Sequence, residues 1–344
     1  MTALAIRQMD RAGLALGIEW AAAEGWNPGL HDADAFYAAD PGGFLLGTLD
    51  GEPVGMISAV RHGADFGFVG FYIVRPGFRG RGLGLALWRA GMARLEGRAV
   101  GLDGVVAQQA NYRRSGFAYL HANARYEGSD LDRRADPAAV PLATVDAGAL
   151  RAYDRRFFPA PRDAFLDAWT TRPGTVALGL VEGGALRGSG VIRPCRAGFK
   201  VGPLFADDPA RARRLLAALA AAVPAGATVQ LDVPVPNADA VTLARSQGMA
   251  PVFETARMVR GTAPVVEMAG QFGVTSFELG VGGTGSVSCQ AATLYTRTIA
   301  EVLVCAPGPR IRHPRESGDP SPTWTLGPRD PRRTLGPGSP LARR

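Results

Sequence analysis

The stretch Phe71-Tyr-Ile-Val-Arg-Pro-Gly-Phe-Arg79-Gly-Arg-Gly82-Leu-Gly84-Leu-Ala-Leu87 predicts an apolar strand, a glycine-containing turn and the start of a helix. The first backbone N–H groups of a helix have no partner within it, so they are suited to binding anions. Gly82 and Gly84 let a ligand approach the backbone, and Arg79 and Arg81 add charge suited to a diphosphate. The segment therefore predicts a phosphate-binding turn at residues 79–85.

Two other phosphate-binding turns do not fit this segment. A P-loop requires Gly-Lys-Ser/Thr, which is missing here, and a dinucleotide-binding turn requires glycine at position 85, where Leu85 stands. A strand-to-helix turn with no ligand would have no need of two flanking arginines. A different class of phosphate-bearing ligand is therefore expected.

Regular patterns of apolar residues on both sides of the turn predict strands and helices in a mixed order, which is typical of an α+β fold with a mixed central sheet flanked by helices. The expected strands are 3–9, 44–49, 54–61, 66–74, 100–106 and 117–126, and the expected helices are 11–24, 32–39, 83–95 and 108–115.

An internal repeat with an offset of 132 residues indicates two similar domains. Phe44–Gly51 matches Val176–Gly183, and the offset places Gly70 on Gly202 and Gly116 on Gly248 without a gap. We expect a first domain at 1–130, a linker at 131–145 and a second domain at 146–280. In the second copy the offset replaces Gly82, Gly84 and Tyr112 by Arg214, Leu216 and Ala244, so only the first copy is expected to bind the ligand.

The turn and the strand before it resemble the Arg-x-x-Gly-x-Gly signature of the GNAT superfamily of N-acetyltransferases. Tyr112-Arg-Arg-Ser-Gly116-Phe117 resembles a second landmark of that superfamily, a helix that carries tyrosine four residues before Gly-Phe. Other phrases, such as Phe272–Gly280, resemble a bacterial subgroup in which a GNAT domain is followed by a degenerate GNAT-like domain. The resemblance thus implies tandem GNAT-like domains.

This resemblance also implies an activity, the transfer of an acetyl group from acetyl-CoA to a small-molecule or protein amine. Ile73 and Val74 would pair with the pantetheine arm and supply an oxyanion donor, and Tyr112 would protonate the departing thiolate. The backbone of the turn would hold the CoA diphosphate through Arg79, Gly80, Arg81, Gly82, Leu83, Gly84 and Leu85.

The general base is not assigned by the sequence, because the strand at 66–74 carries no acidic residue. Glu24 and His31 are candidates, since the first helices border the acceptor site in this superfamily, and His62 is a third. Trp26 could line an acceptor pocket, although the pattern favours a tryptophan in the core. The missing acid also leaves open a non-catalytic regulator that binds acyl-CoA.

Composition narrows the choice of partners and compartment. The net charge of +7 is concentrated in residues 305–344, which hold eight arginines and three acids; the remaining 30 basic and 28 acidic residues nearly balance. Nucleic acid is therefore not an expected partner. Three scattered cysteines predict neither disulfides nor a metal site, and no signal peptide or membrane span is evident. We expect a cytoplasmic protein, and the sequence does not predict its oligomeric state.

The end of the chain has a different composition from the rest. Residues 306–344 contain nine prolines and five glycines and few large apolar residues, so this tail is expected to be disordered. Residues 281–305 are rich in Gly, Ser and Thr and are left unassigned.

Overall fold

The structure, a computed structural model, describes residues 4–280; the predictions for 281–344 lie outside the described residues. All ten elements predicted for the first copy are confirmed to within two residues at each end. The strands are β1 Leu4–Gln8, β2 Phe44–Leu49, β3 Glu52–His62, β4 Phe66–Val74, β5 Ala99–Val105, β6 Ala118–Gly128, β7 Ala139–Pro141, β8 Val176–Glu182, β9 Ala185–Pro194, β10 Phe199–Ala206, β11 Val229–Pro234, β12 Ala250–Arg260 and β13 Gln271–Gly273. The helices are α1 Arg11–Ala23, α2 Asp32–Ala39, α3 Leu83–Arg94, α4 Gln109–Arg114, α5 Ala147–Asp154, α6 Asp163–Thr171, α7 Pro209–Ala221 and α8 Ala238–Ser246.

All thirteen strands of the described residues belong to one continuous sheet. Its order is β1-β2-β3-β4-β5-β12-β6-β11-β10-β9-β8-β7, and β13 pairs with β10 away from this path. The sheet therefore joins an amino-terminal half, which runs from β1 to β5, to a carboxy-terminal half, which runs from β11 to β7. At the centre the last strand of each half is exchanged, because β12 pairs with β5 while β6 pairs with β11.

The central pair β6 and β12 relates the two halves by an approximate twofold axis. These strands are antiparallel, and Asn123 lies opposite Thr255, its own counterpart at the offset of 132 (255 − 123). An exchange of this kind is the intramolecular equivalent of domain swapping, so each half of the sheet is completed only by a strand of the other.

Two buried ion pairs hold the exchanged strands in place. On β6, Arg125 binds Asp232 of β11 through two hydrogen bonds of 2.6 and 2.9 Å. On β12, Arg257 binds Asp103 of β5 in the same bidentate way, at 2.8 and 2.6 Å. All four side chains are at most 4% exposed. Charges that are removed from water require a matched partner, so these pairs stabilise the attachment of each exchanged strand.

Helices cover both faces of the sheet. In β3, Ile57 and Ala59 pack with α3, whereas Met56 and Val60 pack with α1 and α2 on the opposite face. The cluster on the second face also includes α6 of the carboxy-terminal half, where Trp169 stacks on Phe36 of α2 with ring centroids 5.8 Å apart. This cluster joins the helices of the two halves.

The prediction of a constant offset is wrong between β4 and α3. The first half has an eight-residue connection, 75–82, before α3 begins at Leu83, whereas β10 ends at Ala206 and α7 begins at Pro209. The offset there is 126 (209 − 83). Arg214 and Leu216 therefore lie inside α7 and do not replace Gly82 and Gly84. The offset returns to 132 after α4, where Ser115 and Gln247 end equivalent helices.

We predict that Arg125→Met lowers the free energy of unfolding by about 3–5 kcal/mol, because it leaves the buried Asp232 without its guanidinium partner. The double variant Arg125→Met/Asp232→Leu should recover most of this loss, since a buried ion pair replaced by apolar side chains is often close to neutral. Urea denaturation measures both variants.

The matched control is Arg151→Met. Arg151 is 38% exposed and pairs with Asp163 and Asp167 at the surface, so we expect a loss of only about 0–1 kcal/mol. Equal losses for the buried and the exposed arginine would contradict the role given to the central ion pairs.

Candidate functional site

A gap opens between β4 and β5 at the end of the sheet that carries the predicted turn. The two strands are parallel and pair only from Phe66–Val69 to Ala99–Leu102. Beyond this point β4 continues to Val74 and β5 to Val105, and no strand of the described residues pairs with β4 on this side. The backbone groups of β4 that face the gap are therefore available to an extended ligand.

An irregularity in β4 marks the start of the gap. Phe71 has a φ of +43°, which is uncommon for a residue other than glycine, and the pairing with β3 shifts between Ser58–Gly70 and Met56–Ile73. Such a bulge redirects the following residues. Phe71 and Ile73 consequently pack on the α1 and α2 face, whereas Tyr72 and Val74 pack on the α3 face.

The turn after β4 leaves the start of α3 open. Gly82, the residue before the helix, has a φ of +77° and makes no side-chain hydrogen bond to the first turn, which also lacks an acidic residue. A Cβ atom at Gly82 would have no atom within 4 Å. Leu85 is 52% exposed beside it. The free N–H groups and the positive end of the helix dipole thus face open space, as an anion site requires.

Arg79 ties this turn to two neighbouring elements. Its Nε donates a 2.8 Å hydrogen bond to the carbonyl oxygen of Val74 at the end of β4. Its guanidinium also pairs with Glu24, which follows α1. Glu24 is one of the predicted acceptor-site residues, so this ion pair links the predicted phosphate-binding turn to the loop between α1 and α2.

Tyr112 lies at the β5 side of the gap. Its ring packs on Gly104, where a Cβ atom would be only 2.2 Å from the ring, and against Trp88 with centroids 5.7 Å apart. Burial, together with nearby Tyr72, raises the pKa of Tyr112 to about 12. The hydroxyl therefore keeps its proton at neutral pH and can act as a proton donor.

Tyr72 is a neighbour that the sequence did not predict. Its ring contacts Trp88 at 5.5 Å, and a Cβ atom at Gly84 would lie 2.7 Å from its hydroxyl oxygen. Burial raises the pKa of Tyr72 as well. The only signal in the sequence was a tyrosine beside the signature turn, and the face it occupies depends on the bulge at Phe71.

The loop between α1 and α2 is held by the carboxy-terminal half. Lys200 of β10 donates from Nζ to the carbonyl oxygen of Asn27 at 2.9 Å, and Leu30 N donates to Pro194 O at 3.0 Å. Trp26 is half-buried, and its carbonyl accepts a 2.8 Å hydrogen bond from Arg125. The other half therefore closes over the side where the resemblance places the acceptor.

The two histidines considered as bases differ in their surroundings. His31 is exposed and precedes α2 without capping it. His62 lies at the end of β3 where β4 begins, away from the gap, and is buried against Phe66 and Phe158. Burial and the charge of Arg162 lower the pKa of His62 to about 3. The imidazole is therefore neutral at pH 7, and its surroundings are those of a residue in the core.

The equivalent gap of the carboxy-terminal half is filled by the chain itself. β10 and β11 pair only from Phe199–Val201 to Val229–Leu231. Beyond that point β13 inserts, pairing with β10, and Val274 N donates to Asp232 O of β11 at 2.8 Å. The strand occupies the position that remains open between β4 and β5.

The start of α7 is closed as well. The Asp208 carboxylate caps the helix by accepting a 2.8 Å hydrogen bond from Arg211 N. A carboxylate at this position occupies the donors that an anion would need. Two arginines of α7 are also bound by acidic side chains. Arg211 pairs with Glu182 and Asp208, and Arg214 pairs with Glu182 and Asp136.

No group of three or more His, Cys, Asp or Glu side chains in residues 4–280 is arranged to hold a metal ion. No helix within this range is both long and apolar enough to cross a membrane.

Each half of the chain matches a family of known sequences. The profile described as "Acetyltransferase (GNAT) family" matches residues 15–117, and that described as "Acetyltransferase (GNAT) domain" matches residues 150–273. A holothin acyltransferase from Pseudoalteromonas is 33% identical over 263 residues, which cover 76% of this chain and 90% of the relative.

Solved structures share the fold. One is a candidate acetyltransferase from Pyrococcus horikoshii, with a TM-score of 0.70 and 22% identity over 81% of this chain and 97% of its own. Another is a tandem GNAT protein from the clavulanic acid biosynthesis pathway, with a TM-score of 0.54 and 17% identity over 75% of this chain and 98% of its own. The chain therefore belongs to the GNAT family of acyltransferases and has the tandem form of its fold.

Proposed function

We propose that this acyltransferase uses acetyl-CoA as cosubstrate and acetylates a primary amine. The observation that carries the proposal is the continuity of the open gap between β4 and β5 with the uncapped start of α3, because CoA combines an extended amide-containing arm with a diphosphate. The identity of the relative adds support for acyl transfer.

The residues of the gap would divide the work. The backbone of Ile73 and Val74 would pair with the pantetheine arm, and the N–H groups of residues 79–85 would hold the diphosphate. A backbone amide of β4 beside the bulge would stabilise the oxyanion that develops on the thioester carbonyl. Tyr112 would donate its proton to the departing sulfur. The thioester supplies the activated acyl group.

The two halves would then have separate tasks. We assign the cofactor site to residues 1–130, the linker to 131–145 and the cover of the acceptor side to 146–280. The contacts from Lys200 and Pro194 to the loop between α1 and α2 support this division. Glu24, Trp26 and His31 would border the acceptor side. Holothin, which appears in the name of the relative, is the first acceptor to test.

A regulator that binds acyl-CoA without turnover is the second candidate, favoured by the absence of an acidic residue on β4. Release of free CoA thiol from acetyl-CoA, measured with a panel of primary amines, separates the two. Amine-dependent release supports the enzyme. Tight binding of acetyl-CoA without release with any amine would support the regulator.

We predict that Gly82→Glu weakens acetyl-CoA binding by at least about 100-fold, because a carboxylate at the start of α3 would repel the diphosphate. Isothermal titration calorimetry measures this affinity. Gly97→Glu is the matched control: Gly97 has a φ of +78° and open surroundings like Gly82, but it lies in the turn after α3. Equal affinities for the two variants would contradict the assigned site.

We also predict that Tyr112→Phe lowers kcat about 100-fold while the affinity for acetyl-CoA stays within twofold of the unmodified chain, since only the proton donor is removed. Tyr119→Phe, at a 46% exposed tyrosine on β6, is the control and should retain kcat. An unchanged kcat in Tyr112→Phe would exclude the hydroxyl as the acid.

A further inference from the structure

The chain after β13 brings the backbone of Glu278 to the start of the gap. Residues 274–280 run from the gap between β10 and β11 to β4, and they touch the equivalent glycines Gly202 and Gly70 of the two halves. A Cβ atom at Gly70 would lie 2.0 Å from the carbonyl oxygen of Glu278, and one at Gly202 would lie 2.6 Å from those of Val274 and Thr275. Glu278 is thus next to the bulge at Phe71.

Glu278 is 5% exposed, and its carboxylate oxygens are not fully enclosed by protein atoms. The side chain forms no hydrogen bond or ion pair with another described residue. A buried charge normally requires such a partner, and those that lack one are characteristic of functional sites. A ligand that donates a hydrogen bond would satisfy it.

The surrounding cations do not use Glu278 as their counter-ion. Arg125, Arg193 and Lys200 are close enough for their charges to interact with it. However, Arg125 donates to Asp232, Arg193 donates to Asp32, and Lys200 donates to the backbone of Asn27. None of these three cations therefore forms a hydrogen bond or ion pair with the Glu278 carboxylate.

The other carboxylate near the gap, Asp103, has a structural role. It follows the last paired residue of β5, but Arg257 binds it bidentately and Asn123 donates to it at 2.8 Å. The same arrangement recurs as Arg125 and Asp232 in the half whose gap is filled. Glu278 differs from both aspartates, because it has no equivalent residue in the other half and no arginine bound to it.

We propose that Glu278 is the general base that accepts the proton of the acceptor amine. The inference rests on the proposed acetyl transfer. As the amine nitrogen bonds to the thioester carbonyl carbon, its proton passes to Glu278; as the carbon–sulfur bond breaks, the thiolate takes the proton of Tyr112. Exchange with water then returns Glu278 and Tyr112 to their starting states, so the products are the amide and free CoA thiol.

The test uses the full chain, acetyl-CoA and the amine from the panel with the highest turnover. At saturating amine, Glu278→Gln should lower kcat about 100-fold and remove the fall of kcat on the acidic side of the pH profile, since glutamine cannot titrate. Glu278→Asp should retain part of kcat and its acidic limb. The affinity for acetyl-CoA and the melting temperature should stay unchanged.

The control is Glu254→Gln on β12, which replaces a different, partly buried carboxylate by the same amide. This variant should keep kcat and its pH profile. An unchanged kcat in Glu278→Gln would overturn the inference while leaving acetyl transfer intact. A loss that is equal at every pH, accompanies a lower melting temperature and is not relieved in Glu278→Asp would show a structural role instead. Absence of turnover in the unmodified chain would contradict the proposed function itself.

Discussion

The separation of β4 from β5 after Val69 is the feature on which the rest of the site depends. Backbone groups in the interior of a sheet are normally paired, so a stretch of strand without its neighbour is stable only where water or a ligand supplies the partner. The bulge at Phe71 starts this separation, and the turn at 79–82 carries the chain from the open edge to the start of α3. In the proposed function, the strand edge and the helix terminus would therefore contact the same ligand.

Small local differences make the two halves unequal although their topology is the same. Six fewer residues before α7 remove the glycine turn, Asp208 caps the helix, and β13 fills the gap between β10 and β11. The exchanged strands and their buried ion pairs keep the halves together. The carboxy-terminal half contacts the loop between α1 and α2, and residues 274–280 extend from it to β4 of the amino-terminal half.

The sequence predicted elements whose residues show a clear local pattern. The bounds of α2 and β4 were correct, because alternation, turns and apolar spacing define them. The exchange of β6 and β12 was not predicted, since equivalent strands carry equivalent patterns and either one fits either half. The three residues of β13 are too few to show a period. The change of offset before α7 was not predicted, because Arg, Leu and Ala are so frequent in the chain that they match by chance.

Only some residues of the candidate site belong to local sequence patterns. The turn and Tyr112 belong to contiguous motifs, and the structure brings both to the open end of the gap. The placement of Tyr72 depends on a bulge, and that of Glu278 on a contact between residues 208 positions apart (278 − 70). Neither leaves a local pattern in the sequence.

The number of acetyl-CoA molecules bound by each chain tests the central claim most directly, since that claim is the inequality of the two gaps. Calorimetric titration of the purified full chain should saturate at one acetyl-CoA per chain, because β13 and Asp208 occupy the second position. Saturation at two equivalents would contradict the account.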